Sequence, residues 1–175
     1  MDGNFEVSEM ICTLGKFFRS NIRISENEIP LEMELENVGL YVELSKYRFG
    51  DRLHYEVHVD DDIRNIKILR LLFQPLIENS IKHGIEQTGD EEHISIKICR
   101  KGDRVRIEIR DDGPGMDDET LSYLRSLWEY AGLEYHKETR SIGLYNVFRR
   151  LSLTYYDDVS LQINSAENKG TEYII

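Results

Sequence analysis

The chain has 175 residues, 40% of them hydrophobic and only three proline, which suits one globular domain with a real core. Its net charge of −11 would repel a phosphate backbone, so non-specific nucleic-acid binding is excluded as a function, although a local pocket could still hold a nucleotide. The two cysteines, Cys12 and Cys99, show no metal-ligand or redox spacing, and no apolar run approaches the roughly 18–20 residues that span a bilayer.

In chain order, Val7, Met10, Ile11, Leu14, Phe17 and Phe18 recur at three- and four-residue steps and predict a helix with one narrow apolar seam. Residues 19–30 read as a polar joint. Leu31, Leu35, Val38 and Val42 mark a second helix, closed by Gly50-Asp51, with Glu32, Glu34 and Glu36 in its first turns where the dipole favours negative charge. Leu53, Tyr55, Val57 and Val59 alternate as a half-buried strand, and Asp60-Asp61-Asp62 is a turn. A third helix is expected from about Ile68 to His83, and Pro75 is awkward in its interior because it lacks an amide. Ile94, Ile96 and Ile98, then Val105, Ile107 and Ile109, form a hairpin around Lys101-Gly102-Asp103. Helices follow over 117–130 and 142–153, separated by an aperiodic stretch at 131–140. The chain closes with a strand through Val159, Leu161 and Ile163, a turn at 167–170 and a last strand over 172–175. Neighbouring strands that are mostly antiparallel, interleaved with helices, predict an α+β fold: a two-layer sandwich with helices on one face of a mixed sheet.

Four short stretches carry chemistry. On the third helix Leu76, Ile77, Ser80 and Ile81 share one side, whereas Glu78, Asn79, Lys82 and His83 share the other, and Gly84 supplies a stop. A carboxylate, a carboxamide and an ammonium on a helix backed by core suit a Mg-phosphate surface, although a solvated polar face would look the same. Asp111-Asp112-Gly113-Pro114-Gly115 leaves a strand sharply. Its carboxylate could accept a hydrogen bond from an exocyclic amine, or the stretch could be an ordinary acidic turn. Ser141-Ile142-Gly143-Leu144 runs into Tyr145-Asn146-Val147, a small-residue approach to a helix N-terminus that suits an anion. Asn168-Lys169-Gly170-Thr171 is a hairpin turn. Neither GxGxxG nor GxxxxGK[ST] occurs, so the two commonest nucleotide motifs are excluded.

Taken together and in order, these stretches resemble the N, G1 and G2 boxes of the GHKL ATPases, the Bergerat fold. The wording Gln74-Pro75-Leu76-Ile77-Glu78-Asn79-Ser80-Ile81-Lys82-His83-Gly84, with Tyr47-Arg48-Phe49-Gly50-Asp51-Arg52-Leu53 before it, is most similar to the LytS/YesM-type sensor histidine kinases. The resemblance implies ATP and Mg²⁺ as cofactors. Asn79 would ligate Mg²⁺, Glu78 would orient the nucleophile as acid/base group, and Lys82 would face the phosphates with His83 in the same pocket. Asp111 would take the adenine amine, with Gly113 and Gly115 making room for the base. Ile142, Gly143 and Leu144 would border the triphosphate with Asn146 close by, and Thr171 would support the adenine end. The 131–140 stretch would be a lid.

The same resemblance implies residues 1–28 as the end of a dimerisation and phosphoacceptor region and 29–175 as the ATP-binding catalytic domain. Its partners would be ATP or ADP, a phosphoacceptor domain and a response regulator, in a cytoplasmic domain of a bacterial membrane protein, with room for a homodimer through the N-terminal seam. Two departures stand out. Ser141 replaces the first glycine of the G2 box, and none of His54, His58, His83, His93 or His136 stands in an N-P-H-F-L-F-N context, so the phosphorylated histidine is expected outside this chain. A GHKL module that binds nucleotide without kinase activity is the nearest alternative. A purely structural dimerisation domain is the third.

Overall fold

A computed structural model describes residues 3–22, 26–132 and 142–175, with side chains from Glu6 onward. The expected lid therefore falls largely outside the described residues, as do Ser141 and His136.

Two helices open the chain, α1 (Gly3–Ile22) and α2 (Leu31–Phe49), joined through a short strand β1 (Glu28–Pro30). Gly50 ends α2 with φ 63°, its amide bonded to the Lys46 carbonyl. Strands β2 (Leu53–Val59) and β3 (Lys67–Leu69) follow. Helix α3 (Gln74–His83), a single turn α4 (Ile85–Thr88), the hairpin β4 (Glu92–Lys101) and β5 (Arg104–Asp111), helices α5 (Asp118–Glu129) and α6 (Ile142–Tyr155), and the hairpin β6 (Gln162–Ser165) and β7 (Thr171–Ile174) complete the order.

Five strands form one sheet in the order β2-β4-β5-β7-β6, and β1 and β3 pair as a separate two-stranded ribbon. Among the described residues only β2 and β4 run parallel; the other pairs of the main sheet are antiparallel. Alternation along β4 buries Ile94, Ile96 and Ile98 on one face while His93 and Lys97 face water, so one face of the sheet carries the core. Against it pack Leu76, Ile77 and Ile81 of α3, Leu121, Leu124 and Leu127 of α5, and Leu144, Val147, Phe148 and Leu151 of α6. This is the expected α+β, two-layer architecture with a mixed, mostly antiparallel sheet.

Several expectations are corrected. The third helix starts at Gln74, not near Ile68, because residues 67–69 pair with β1 and Leu71 turns with φ 54°. Pro75 then sits at the first turn, where its missing amide costs nothing. The ribbon strand β1 was hidden inside the polar joint, since three residues carry too little alternation to register. The strand expected through Val159 starts later, so Val159 and Leu161 precede β6, and β7 lies one residue earlier than expected. Glu34 does more than complement the dipole of its own helix, because it is wholly buried against the start of α3.

Candidate functional site

Helix α3 forms because Pro75 fixes its first turn and its apolar residues Leu76, Ile77, Ser80 and Ile81 meet the sheet. Asp111 ends β5 opposite it. Only 5% of Asp111 is exposed, and its carboxylate is held from three directions. Oδ2 accepts from Ser80 Oγ at 2.8 Å, and Oδ1 accepts from the amides of Thr171 at 3.0 Å and Gly113 at 3.2 Å. Burial pushes this carboxyl above its usual range, while those hydrogen bonds pull the other way. Oδ2 keeps a lone pair for one further donor.

A cavity of about 330 Å³ opens here, lined by Asn79, Ser80, His83, Gly84, Gln87, Asp111, Pro114, Gly115, Met116, Asp117, Thr120, Leu124, Leu144 and Thr171. It joins the end of α3 to the turn after β5, the start of α5, the first residues of α6 and the start of β7. Of the residues singled out by sequence, Asn79, His83, Asp111, Gly115, Leu144 and Thr171 line it. Glu78, Lys82, Gly113, Ile142, Gly143 and Asn146 do not. Lys82, Ile142, Gly143 and Asn146 are exposed, and Glu78 is half-buried with its Oε1 accepting from Gln74 Nε2 at 2.8 Å. Asn79 turns its Nδ2 to the Tyr173 hydroxyl at a long 3.5 Å, leaving Oδ1 as an acceptor without a partner among the described residues. The donor set fits a nucleotide with a hard cation: an amide oxygen and a buried, anchored carboxylate on residues that line one cavity.

The glycines of the D-x-G-x-G turn also stand hard against neighbouring protein atoms. A Cβ at Gly115 would collide with the Ala166 carbonyl, and one at Gly113 would crowd Asp111 Oδ1 at 3.3 Å and Gly84 Cα at 3.4 Å. They make room for neighbouring protein atoms, and the cavity forms beside that contact. Likewise Thr171 acts on Asp111 through its backbone amide, while its hydroxyl meets Ser165 Oγ at 3.1 Å.

Sequence reasoning missed three contributors. Ser80 was assigned to the apolar face, and its small size is the signal that it fits under Asp111. Asp117 caps α5 by accepting from the Thr120 amide at 2.7 Å, a pattern legible as an acidic residue before a helix. Glu92 is 1% exposed, and its Oε2 accepts from the Ile85 amide at 2.6 Å, where the chain leaves α3. Its carboxylate fills the place a side chain on residue 84 would need, which is why glycine stands there. Burial first, then the charges of Asp111 and Asp112, push Glu92 up to about 7. No sequence signal marks it, since glutamate at a strand start reads as solvated. A larger hollow of about 630 Å³ lies around Ile68, Val105, Leu151 and Ile175, and no residue of the four motif stretches lines it.

The sequence model of the family described as histidine kinase-, DNA gyrase B- and HSP90-like ATPase matches residues 64–175, and that of the histidine kinase family matches residues 1–53. The chain belongs to the histidine-kinase-type ATPases. Sensor histidine kinase YesM of Bacillus subtilis is 31% identical over 170 residues, 97% of this chain and 27% of that protein. Sensor protein LytS of Oceanobacillus iheyensis is 32% identical over 163 residues, 93% of this chain and 27% of that protein. The chain thus spans about a quarter of the length of these relatives. Among solved structures, histidine kinase AdeS of Acinetobacter baumannii superposes with a TM-score of 0.58 at 16% identity, covering 97% of this chain and 75% of that one. The catalytic domain of histidine kinase ThkA gives 0.55 at 16% identity, over 86% and 93%. These likenesses carry the fold. None of the described helices of this histidine-kinase-type domain is long and apolar enough to cross a membrane.

Proposed function

We propose that the chain is the ATP-binding catalytic portion of a sensor histidine kinase, which passes the γ-phosphoryl group of ATP to a histidine on another segment and from there to a response-regulator aspartate. One observation carries this reading: Asp111, with its anchored carboxylate, and Asn79 line one cavity.

Asp111 accepts the exocyclic amine of adenine. Ser80 and the amides of Gly113 and Thr171 hold its carboxylate still, so recognition needs no reorganisation on binding. Leu124, Leu144 and Met116 supply the apolar wall against which a base is drawn out of water. Asn79 Oδ1 is the hard oxygen ligand for Mg²⁺, whose charge offsets that of the phosphates in an acidic chain. Lys82 and Asn146 are exposed beside this region and serve the phosphates. Glu78, steadied by Gln74, is the group that orients the incoming imidazole. Phosphoryl transfer asks mostly for positioning and charge neutralisation, and these side chains provide both. None of the five histidines stands in the phosphoacceptor sequence context, so the acceptor and the regulator are separate segments or partners.

The test is calorimetry with Mg-ADP. The parent chain is expected to bind, and Asn79→Ala is expected to lose Mg-dependent affinity by roughly tenfold or more while its thermal transition stays in place. Equal Mg-ADP affinity in the two chains overturns the assignment of Asn79. Absence of binding by the parent overturns the nucleotide reading.

A further inference from the structure

The start of α3 is held by a side chain from another helix. Glu34, in the first turn of α2, has no exposed surface. Its Oε2 accepts from the Leu71 amide at 3.0 Å, and its Oε1 accepts from the amides of Leu72 at 2.8 Å and Phe73 at 3.2 Å. Phe73 is the residue from which α3 sets out, and its own side chain cannot cap a helix. Leu71 is in the left-handed region at φ 54°, which a leucine adopts only when its surroundings compel it.

One cation, Arg150, acts on this carboxylate. Arg150 of α6 donates from Nη2 to the Arg70 carbonyl at 2.6 Å, and Arg70 donates from Nη2 to the Asn21 carbonyl near the end of α1 at 2.7 Å. On its own helix, Glu32 pairs instead with Arg64 and Glu36 is exposed. Parts of α2, α6 and the approach to α3 thus converge around one buried carboxylate, and Arg70 ties that approach to the end of α1. Burial pushes it up to about 7, even though the three amides and Arg150 favour its ionised form. An ionised group in so dry a place is a poor device for stability alone, because a neutral side chain of the same shape would avoid the desolvation.

We propose that Glu34 is a positioning residue for the nucleotide site: by gripping the amides of residues 71–73 it sets where α3 begins and at what angle it runs, and so where Glu78, Asn79 and His83 stand relative to Asp111. This rests on the nucleotide reading above. Glu78 and Asn79 lie one to two turns beyond the gripped amides, so a small rotation there is carried rigidly to them.

The experiment uses the full chain and Mg-ADP. Glu34→Gln keeps the shape and removes the charge. Its oxygen still accepts from two amides, but its –NH₂ cannot accept from the third. The expected result at pH 8 is Mg-ADP affinity weaker by roughly tenfold with a melting temperature unchanged or higher, because the buried charge is gone. Between pH 8 and pH 6 the affinity of the parent should fall relative to that of the variant, as protonation costs Glu34 one acceptor. Amide hydrogen exchange without nucleotide should quicken at residues 71–73 and in α3, and stay unchanged in β4 and β5. Glu34→Asp, charged but one methylene short, should weaken affinity as well, and it serves if the glutamine variant does not fold. Parent-like affinity in both variants overturns the proposal. So does a loss of affinity that comes with a lowered melting temperature and faster exchange across the sheet, which would mark an ordinary fold contact. A parent chain that does not bind Mg-ADP overturns the nucleotide reading, and this inference with it.

Discussion

At Gly115 the chain turns with φ 67°, and the Ala166 carbonyl fills the position that a Cβ would take. Both facts oppose any side chain there: the left-handed backbone strains it, and the neighbour is backbone that cannot swing away. Gly115→Ala is therefore expected to lose about 1–3 kcal/mol of stability in urea unfolding. Mg-ADP affinity should drop too, since the turn and the start of β7 wall one cavity. Wild-type stability in that variant would mean that the turn can relax away from residue 166. Residue types told much here. An Asp followed by two spaced glycines announces a tight turn after a strand, and an Asn beside a Glu on a polar helix face announces oxygen ligands. What those types withheld was how closely neighbouring protein atoms approach Gly113 and Gly115.

Periodicity located most elements because burying one face of a helix or strand imposes it directly. The spans of β2, the β4–β5 hairpin, α5 and α6 are readable to within a few residues from apolar spacing alone. The start of α3 was not, because Leu69, Leu72 and Phe73 are buried in strand and turn just as residues of a helix would be. Helix α6 shows what such a face contributes. Phe148 is 1% exposed and meets Trp128 of α5 edge to face, with ring centroids 6.3 Å apart at 89°. Phe148→Ala should destabilise the chain by about 3–5 kcal/mol, the range for an emptied aromatic site, as measured by chemical denaturation. A loss under 1 kcal/mol would mean that α5 and α6 close the gap. By contrast Val7, Ile11, Phe18 and Ile22 of α1 are more than half exposed, so the N-terminal seam does not serve the core described here.

Across the whole molecule, two carboxylates are buried at opposite ends of α3, Glu34 before it and Glu92 after it, and both are pushed up to about 7. An ordinary glutamate in the unfolded chain titrates near 4.5, so the folded state binds these protons more tightly. The sign follows. The contribution is fully present below pH 4.5 and is lost as pH rises through about 7. Asp117 and Glu108 are held below the usual carboxylate range by the Thr120 hydrogen bonds and by Arg106, so they oppose the trend only in more acid solution. The melting temperature is therefore expected to rise from pH 8 to pH 6. Glu92→Gln should be more stable than the parent at pH 8 by on the order of 1–3 kcal/mol and close to it at pH 5. A parent with a flat profile over that window would show that water reaches these carboxylates.

The sequence by itself determined the α+β class, the helix and strand periods and the set of oxygen and ammonium groups suited to a nucleotide, because residue type and spacing act locally and are written in order. Only the tertiary structure decided which of those groups share a cavity, that α3 starts at Gln74, and that Glu34 and Glu92 are buried at its two ends. Those outcomes depend on which distant segment fills the space beside each residue. A glutamate reads as solvated until another part of the fold closes over it.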